Sequence, residues 1–322
     1  MRLDIKRIEA AVGKIDPVFL NSPQYICERL SHALGCRIVL KVETMNPIRC
    51  FKGRGIETVL SGLLSGKARQ KVVCASAGNL GQALAYSGRR RDCSVTVTAS
   101  SKANPSKIEQ MKALNANVIL VDGAIEEALA AAAEFSARTG AFLIEDSKNV
   151  GTCEGAGTIG LELAAIFPSL DAVLISLGAG AMATGVGHAM RCRRPAIEVL
   201  TVQPEQAPGM TLSLRAGHVV DAGPPDTIAD GVAGRYVLPE VLDDLSEVAT
   251  DAFLVSEESI RDGMRLLYRC SGLIVEPAAA LGIATILENR DRFRGMTVAT
   301  IICGGNISTP DFEKWVVQRD QS

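Results

Sequence analysis

Short runs of β-branched and aliphatic residues alternate with longer helical patterns along almost the whole chain. The runs "CRIVLKV" (36–42), "KVVCAS" (71–76), "CSVTVTA" (93–99), "ANVILV" (116–121) and "AFLIE" (141–145) read as strands. So do "DAVLISL" (171–177), "AIEVLTV" (196–202), "DAFLVS" (251–256) and "TVATIIC" (297–303). Between them lie the helical segments "NLGQALAYSGRR", "PSKIEQMKALN", "AIEEALAAAAEFSART", "GTIGLELAAIF" and "SIRDGMRLLYRCSG". The last closes on the glycine expected just past a helix C-terminus. This alternation predicts an α/β fold, with parallel sheets covered by helices on both faces. At 322 residues the chain is long for one core and suits two lobes. The irregular stretch 216–234 is too long for a plain connector and is a candidate active-site loop.

Composition removes several function classes. A formal net charge of −2 supplies no basic field for nucleic acid and no polybasic face for a membrane. Aromatic residues at 4% also argue against base-stacking platforms. No run approaches the roughly 20 apolar residues that span a bilayer, and the amphipathic start "MRLDIKRIEAAVGKID" lacks a signal-peptide core. Nine cysteines without CxxC or regular spacing read as reduced thiols in a cytoplasm. Three histidines far apart make no zinc site, so no metal is expected.

Three loops share one predicted design, in which a strand ends, small residues turn and a helix begins. They are "SAGNLGQ" (76–82), "GAGAMATG" (178–185) and "CGGN" (303–306). Such junctions bind anions, because free backbone N–H groups and the helix dipole converge there. In the second loop Gly178, Gly180 and Ala183 also fit G-x-G-x-x-[GA], with Glu198 near the spacing of an acidic ribose ligand. A dinucleotide site is therefore open, although a plain phosphate cradle fits the same residues. In "NPIRCFKGRG" (46–55), Lys52 opens the helical pattern "FKGRGIETVLSGLLSG". A cation there opposes the helix dipole, so a chemical role competes with an ordinary solvated lysine. An aldehyde cofactor whose phosphate needs a glycine cradle accounts for both features: pyridoxal 5'-phosphate, joined to Lys52 as a Schiff base and anchored by Gly178, Ala179, Gly180, Ala181 and Met182.

With these residues in order, the chain resembles the fold-type-II pyridoxal-phosphate enzymes, in particular the threonine/serine dehydratase family. "KVETMNPIRCFKGRG" is similar to the family's K-x-E-x-x-x-P-x-x-S-F-K-x-R-G segment, and "SAGNLGQALA", "EGAGTIGLEL", "GAGAMATG", "TIADGV", "EPAAA" and "ICGGN" follow its later blocks. The resemblance implies a two-lobed, tryptophan synthase β-like fold. Residues 1–65 and 149–322 would form the large cofactor-binding domain, and 66–148 a small mobile one. It also implies a cytoplasmic lyase that is a homo-oligomer, dimer or tetramer, acting on a small amino acid. By the same resemblance Lys52 binds the cofactor and later removes the substrate's α-proton. Phe51 and Gly231 sandwich the pyridine ring, Asn79 meets the ring hydroxyl, Cys303 faces the ring nitrogen and Glu276 lies near the ring. Ser76, Ala77, Gly78 and Leu80 line the substrate side, where the carboxylate is held at a helix N-terminus.

Departures from the pattern carry information. Cys50 stands for the usual serine, and Ala179 and Ala181 interrupt a glycine run, which makes any φ > 0 requirement there costly. Leu80 replaces a common histidine and makes the substrate side more apolar. Ala77 stands where related serine racemases carry a second acid–base serine. The cation site of some relatives would fall on Gln203, Ala207 and Gly209, which offer no carboxylate. With 322 residues, no C-terminal regulatory domain like that of biosynthetic threonine dehydratases is expected. The implied reaction is β-elimination from a β-hydroxy L-amino acid such as serine or threonine, to a 2-oxo acid and ammonia. The alternatives are the same chemistry on a bulkier or aryl-substituted substrate, a β-replacement synthase, whose S-x-K-D-R pattern Gly53 does not match, and, more remotely, a nicotinamide-dependent oxidoreductase. For the elimination itself, the cofactor phosphate is a candidate proton donor to the leaving hydroxyl, with no clear side-chain rival in the sequence.

Overall fold

The computed structural model describes residues 1–63 and 70–318. Its strands are β1 (Gln24–Ile26), β2 (Arg37–Val42), β3 (Lys71–Ala75), β4 (Ser94–Ser100) and β5 (Asn117–Val121). They continue as β6 (Phe142–Ile144), β7 (Ala172–Ser176), β8 (Glu198–Pro204), β9 (Asp251–Val255) and β10 (Thr297–Ile302). A six-stranded sheet runs β1-β2-β10-β7-β8-β9, and a four-stranded sheet runs β5-β4-β3-β6. Every pairing is parallel except that of β1 with β2. The nine expected strands are all present. The sequence reading missed β1, a three-residue edge strand without an apolar run of its own. It is defined by its antiparallel register with β2, Gln24 opposite Lys41.

Central strands read as continuous apolar runs because both faces are covered; all five residues of β7 are buried. The large sheet organises one core cluster. A second gathers residues of β3 and β4 with Phe19, Ile56 and Leu60. Ile56 and Leu60 lie on helix α1 (Lys52–Leu63), so this helix packs against the core of the smaller sheet, while Phe51 just before it joins the core of the larger. The smaller sheet falls inside the stretch expected to form the second lobe. The expected boundary at 65/66, and the end of the helical pattern 51–66, lie outside the described residues.

Helices α2 (Asn79–Arg90), α3 (Val150–Ile166) and α4 (Ala181–Arg193) complete the frame of the site. α3 begins seven residues before the expected "GTIGLELAAIF", because the helix runs through "GTCEGAG". Each interior glycine costs a helix about 1 kcal/mol against alanine, and close packing explains their presence. A Cβ on Gly155 would lie 2.3 Å from the Arg54 carbonyl oxygen, and one on Gly55 2.7 Å from that of Thr152. A Cβ on Gly185 of α4 would lie 2.0 Å from the Cys153 carbonyl oxygen. α1, α3 and α4 therefore meet backbone to backbone.

A buried ion cluster ties α1 to α3 and to the end of β2. The Arg54 side chain is fully buried. Its Nε donates to Glu43 Oε2 (2.8 Å), and its Nη1 donates to Glu162 Oε1 (2.6 Å) and Thr158 Oγ1 (3.0 Å). Lys41, also fully buried, pairs with Glu162. Lys41, Glu43 and Arg54 belong to the quoted lysine segment, so much of that motif is structural.

Candidate active site

The loops after β3, β6, β7 and β10 open at strand C-terminal ends onto one cavity of about 350 Å³. It is lined from both lobes and collects every residue expected at the pyridoxal phosphate and substrate sites. Lys52 is the first residue of α1, and its Nζ stands 4.7 Å from the centroid of the Phe51 ring. Phe51 is fixed by its backbone N–H, which donates to the Cys303 carbonyl (3.0 Å). The glycine after the lysine is required by packing, since a Cβ on Gly53 would lie 2.5 Å from the Phe19 ring. The Lys52 amine forms an ion pair with Asp146 in the loop after β6.

The 76–80 loop is held by its own serine. Ser76 Oγ accepts from the N–H groups of Gly78 (3.1 Å) and Gly81 (3.0 Å), which leaves the hydroxyl hydrogen to donate elsewhere. Ala77 and Gly78 line the cavity, and Leu80, buried, turns an apolar face to it. Asn79 opens α2. Its Nδ2 donates to Glu276 Oε1 (2.8 Å), and its Oδ1 accepts from Asn306 Nδ2 (2.8 Å). One Nδ2 hydrogen of Asn79 is left for a ligand.

Glu276 caps the short turn Pro277–Ala280 and is almost fully buried. Burial pushes its carboxyl up to about 7; the Asp230 charge adds to this, while the Lys107 charge and the bonds from Asn79 and Asn306 oppose it. Cys303 is buried beside it, and burial, reinforced by the Glu276 charge, holds the thiol far above the usual cysteine range. It therefore presents a neutral S–H. Gly304 must be glycine, because a Cβ there would fall 2.1 Å from Glu276 Oε1.

The loop expected to cradle a phosphate leads directly into α4. Gly180 is its N-cap with φ +106°, and the first helical bond runs from Thr184 N to Gly180 O. The N–H groups of Ala181, Met182 and Ala183 thus have no partner inside the helix, the arrangement that favours an anion at a helix N-terminus. The left-handed requirement falls on Gly180 alone in this loop, so Ala179 and Ala181 bear no strain. Gly178 is close to the turn Asp230–Val232, where its Cβ would lie 3.2 Å from Gly231 O. Of the candidate loop 216–234, only residues 230–234 reach the cavity.

Two expectations need correction. "CGGN" leads into no immediate helix; Gly304 bridges to Cys50, and the next helix starts at Thr309. Glu198 pairs in register with Ala172 at the start of β7, the sheet end opposite the glycine loop, and binds Arg292 (2.6 Å). It cannot serve as a ribose ligand there. Of the positions for a relative's cation site, Gln203 is buried and accepts from Thr211 N (2.7 Å), while Ala207 and Gly209 carry no side-chain ligand atom. Asp146, Asn306 and the pair Lys107–Asp230, which links a helix after β4 to the turn Asp230–Val232 at the cavity, escaped the sequence reading. For Asp146 the available signal was an acid directly after a strand in a parallel sheet.

An amine beside an aromatic face, an amide cradle for a phosphate and a buried neutral thiol fit pyridoxal phosphate, and together they define a site for that aldehyde cofactor. The profile of the family described as "Pyridoxal-phosphate dependent enzyme" matches residues 15–304. The chain is 32% identical over 278 residues to the L-threonine ammonia-lyase of Thermotoga maritima, covering 86% of this chain and 69% of that protein. It is 27% identical to a serine racemase of Oryza sativa subsp. indica, over 94% of this chain and 91% of that one. The solved structure of maize serine racemase superposes with a TM-score of 0.91 at 26% identity, over 98% of this chain and 97% of that one. The chain belongs to the fold-type-II pyridoxal-phosphate dependent enzymes, in the threonine/serine dehydratase family. Among the described residues, no helix is long and apolar enough to cross a membrane.

Proposed function

We propose that the protein removes water from a β-hydroxy L-amino acid, serine or threonine in the first place, to yield a 2-oxo acid and ammonia. One observation carries this reading: the Lys52 amine, the N-terminus of α4 and Cys303, a neutral thiol, line one cavity. Bound pyridoxal phosphate supplies an electron sink for the pair released at Cα. A neutral thiol holds no proton on the ring nitrogen as a carboxylate would, so the sink is weak and prompt loss of the β-substituent is favoured.

Lys52 Nζ holds the cofactor and takes the α-proton when freed. Phe51 and Gly231 flank the ring, Asn79 offers its free amide hydrogen to the ring hydroxyl, and Glu276 stays beside it. The N–H groups of α4 hold the phosphate. The 76–80 loop holds the substrate carboxylate at the N-terminus of α2. Ala77 has no hydroxyl with which to reprotonate Cα from the second face, which favours elimination over the racemisation named for some relatives. Residues 66–148 act as the mobile lobe that excludes water, and the protein works as a dimer or tetramer.

Leu80, with Ile125 and Val232 also on the cavity wall, supports a second substrate range, bulkier or aryl β-hydroxy amino acids. The test is borohydride reduction of cofactor-loaded protein with peptide mapping, then turnover of L-serine, L-threonine and 3-phenylserine. A reduced adduct on Lys52 with 2-oxo acid release is expected. No adduct at Lys52, or interconversion of enantiomers without 2-oxo acid, refutes the proposal.

A further inference from the structure

Polar contacts join the two lobes at different depths of the cavity. Deep inside, Asn79 of the smaller lobe bonds Glu276 (2.8 Å) and Asn306 (2.8 Å), and Glu276 is almost fully buried. At the rim, Lys107 pairs with Asp230, whose side chain is 60% exposed; both residues line the cavity. Lys107 belongs to the helix Pro105–Ala113, which Ile108 and Met111 anchor in the core of the smaller sheet. Asp230 opens the turn Asp230–Val232, and Ala229 and Val232 beside it lie in the core of the larger sheet. The pair is therefore held from both cores. It also adjoins both walls of the site. The Lys107 side chain lies over the 76–80 loop, where a Cβ on Gly78 would be 3.8 Å from its Cδ and from its Nζ. Asp230 directly precedes Gly231, the residue assigned above to one face of the ring.

The two partners differ in what separation costs them. Asp230 is already in water, whereas the Lys107 side chain is only 10% exposed. A buried ammonium without its anion is costly, so Lys107 keeps this position only while Asp230 meets it. Parting the lobes hydrates both charges instead. Shut with the pair made, and parted with the pair hydrated, are thus two distinct states. We propose that Lys107–Asp230 is a latch that holds the smaller lobe shut over bound substrate and so commits that substrate to elimination. This rests on the elimination reading above. A substrate that has given its α-proton to Lys52 has two exits. It can take a proton back at Cα and leave as the amino acid, or it can lose its β-hydroxyl. Shut lobes close the first exit, because the amino acid cannot diffuse away. With the latch broken, substrate is held less firmly and leaves more often unreacted.

Turnover of L-serine in deuterium oxide by cofactor-loaded protein reads the two exits directly. The ratio of Cα-deuterated serine recovered to 2-oxo acid formed measures escape against commitment. In Asp230→Asn this ratio and KM are each expected to rise about fivefold, the scale of one half-exposed ion pair. Borohydride mapping should still find the reduced adduct on Lys52. Lys107→Met should behave alike, and the double variant no worse than either single one, because each change removes the same contact. A pair that merely supports the fold would lower exchange and elimination together, so an unchanged ratio overturns the proposal. Effects that add up in the double variant overturn it too, since the residues then act separately. Should Lys107→Met not fold, Asp230→Glu takes its place beside Asp230→Asn. A ratio near wild type in the first and raised in the second is expected, and the same ratio in both refutes the latch. If wild-type protein forms no 2-oxo acid, the elimination reading itself has failed, whereas normal 2-oxo acid release with an unchanged ratio in Asp230→Asn refutes only the latch.

Discussion

Glu276 offers a quantitative check on the electrostatics of the site. An exposed glutamate carboxyl, as in the unfolded chain, titrates near 4.5, and in the folded protein burial raises that of Glu276 to about 7. The folded state therefore keeps its proton to higher pH. The resulting stabilisation is fully present below about 4.5 and is lost as pH rises through about 7. Each tenfold change in proton affinity is worth about 1.4 kcal/mol, so on the order of 3 kcal/mol is involved in total, of which about 2 kcal/mol is lost between roughly pH 5.5 and pH 8.5. Glu276→Gln cannot ionise. Its carbonyl still accepts from Asn79, while the 3.3 Å bond from Asn306 N–H is lost, a pH-independent cost of about 1 kcal/mol. Urea unfolding of cofactor-free protein, followed by circular dichroism at the two pH values, separates the terms. The wild type is expected to lose about 2 kcal/mol more than the variant on going to the higher pH. If the two lose stability in parallel, within about 0.5 kcal/mol, the folded carboxyl is already ionised, and burial does not dominate at this position.

Two further substitutions probe the frame that carries the site. Gly185→Ala drives a Cβ to 2.0 Å from the Cys153 carbonyl and 2.8 Å from Gly157 N, both backbone atoms; calorimetry should find a loss at the upper end of the 1–3 kcal/mol typical of overpacking, or beyond it. On the proposal that the N–H groups of α4 hold the cofactor phosphate, cofactor affinity measured by absorbance titration is expected to fall with it. Arg54→Met leaves Glu43 and Glu162 facing each other without their guanidinium, and urea unfolding is expected to show a loss of about 3–5 kcal/mol, as for other broken buried ion pairs.

What the chain revealed in advance was whatever its local pattern encodes. The parallel strands were legible because a strand buried on both faces must be apolar throughout, as β7 is. Lys52 was legible because it sits at a helix start, where a cation is unfavourable without a purpose. β1 was not, since three edge residues derive their strand character from the neighbour they pair with. Asp146 was not, because its meaning comes from an amine 94 residues away, and Asn306 likewise acts through Asn79, 227 residues distant. The strain expected at Ala179 and Ala181 vanished because one glycine, Gly180, takes the whole left-handed turn.

The lysine segment shows why such contacts accompany the chemistry. A lysine that holds a cofactor and then acts as a base must swing its amine between partners, and this only works if its backbone does not swing too. Arg54, two residues along α1, is clamped by Glu43 and Glu162, and Gly55 presses on the Thr152 backbone. Adjacent residues therefore serve opposite requirements: Arg54 and Gly55 hold α1 immobile from inside the protein, and Lys52 reaches out from its first turn into the cavity. Replacing the clamp should impair the amine's work without touching the amine, which makes Arg54→Met a test of catalysis as much as of stability.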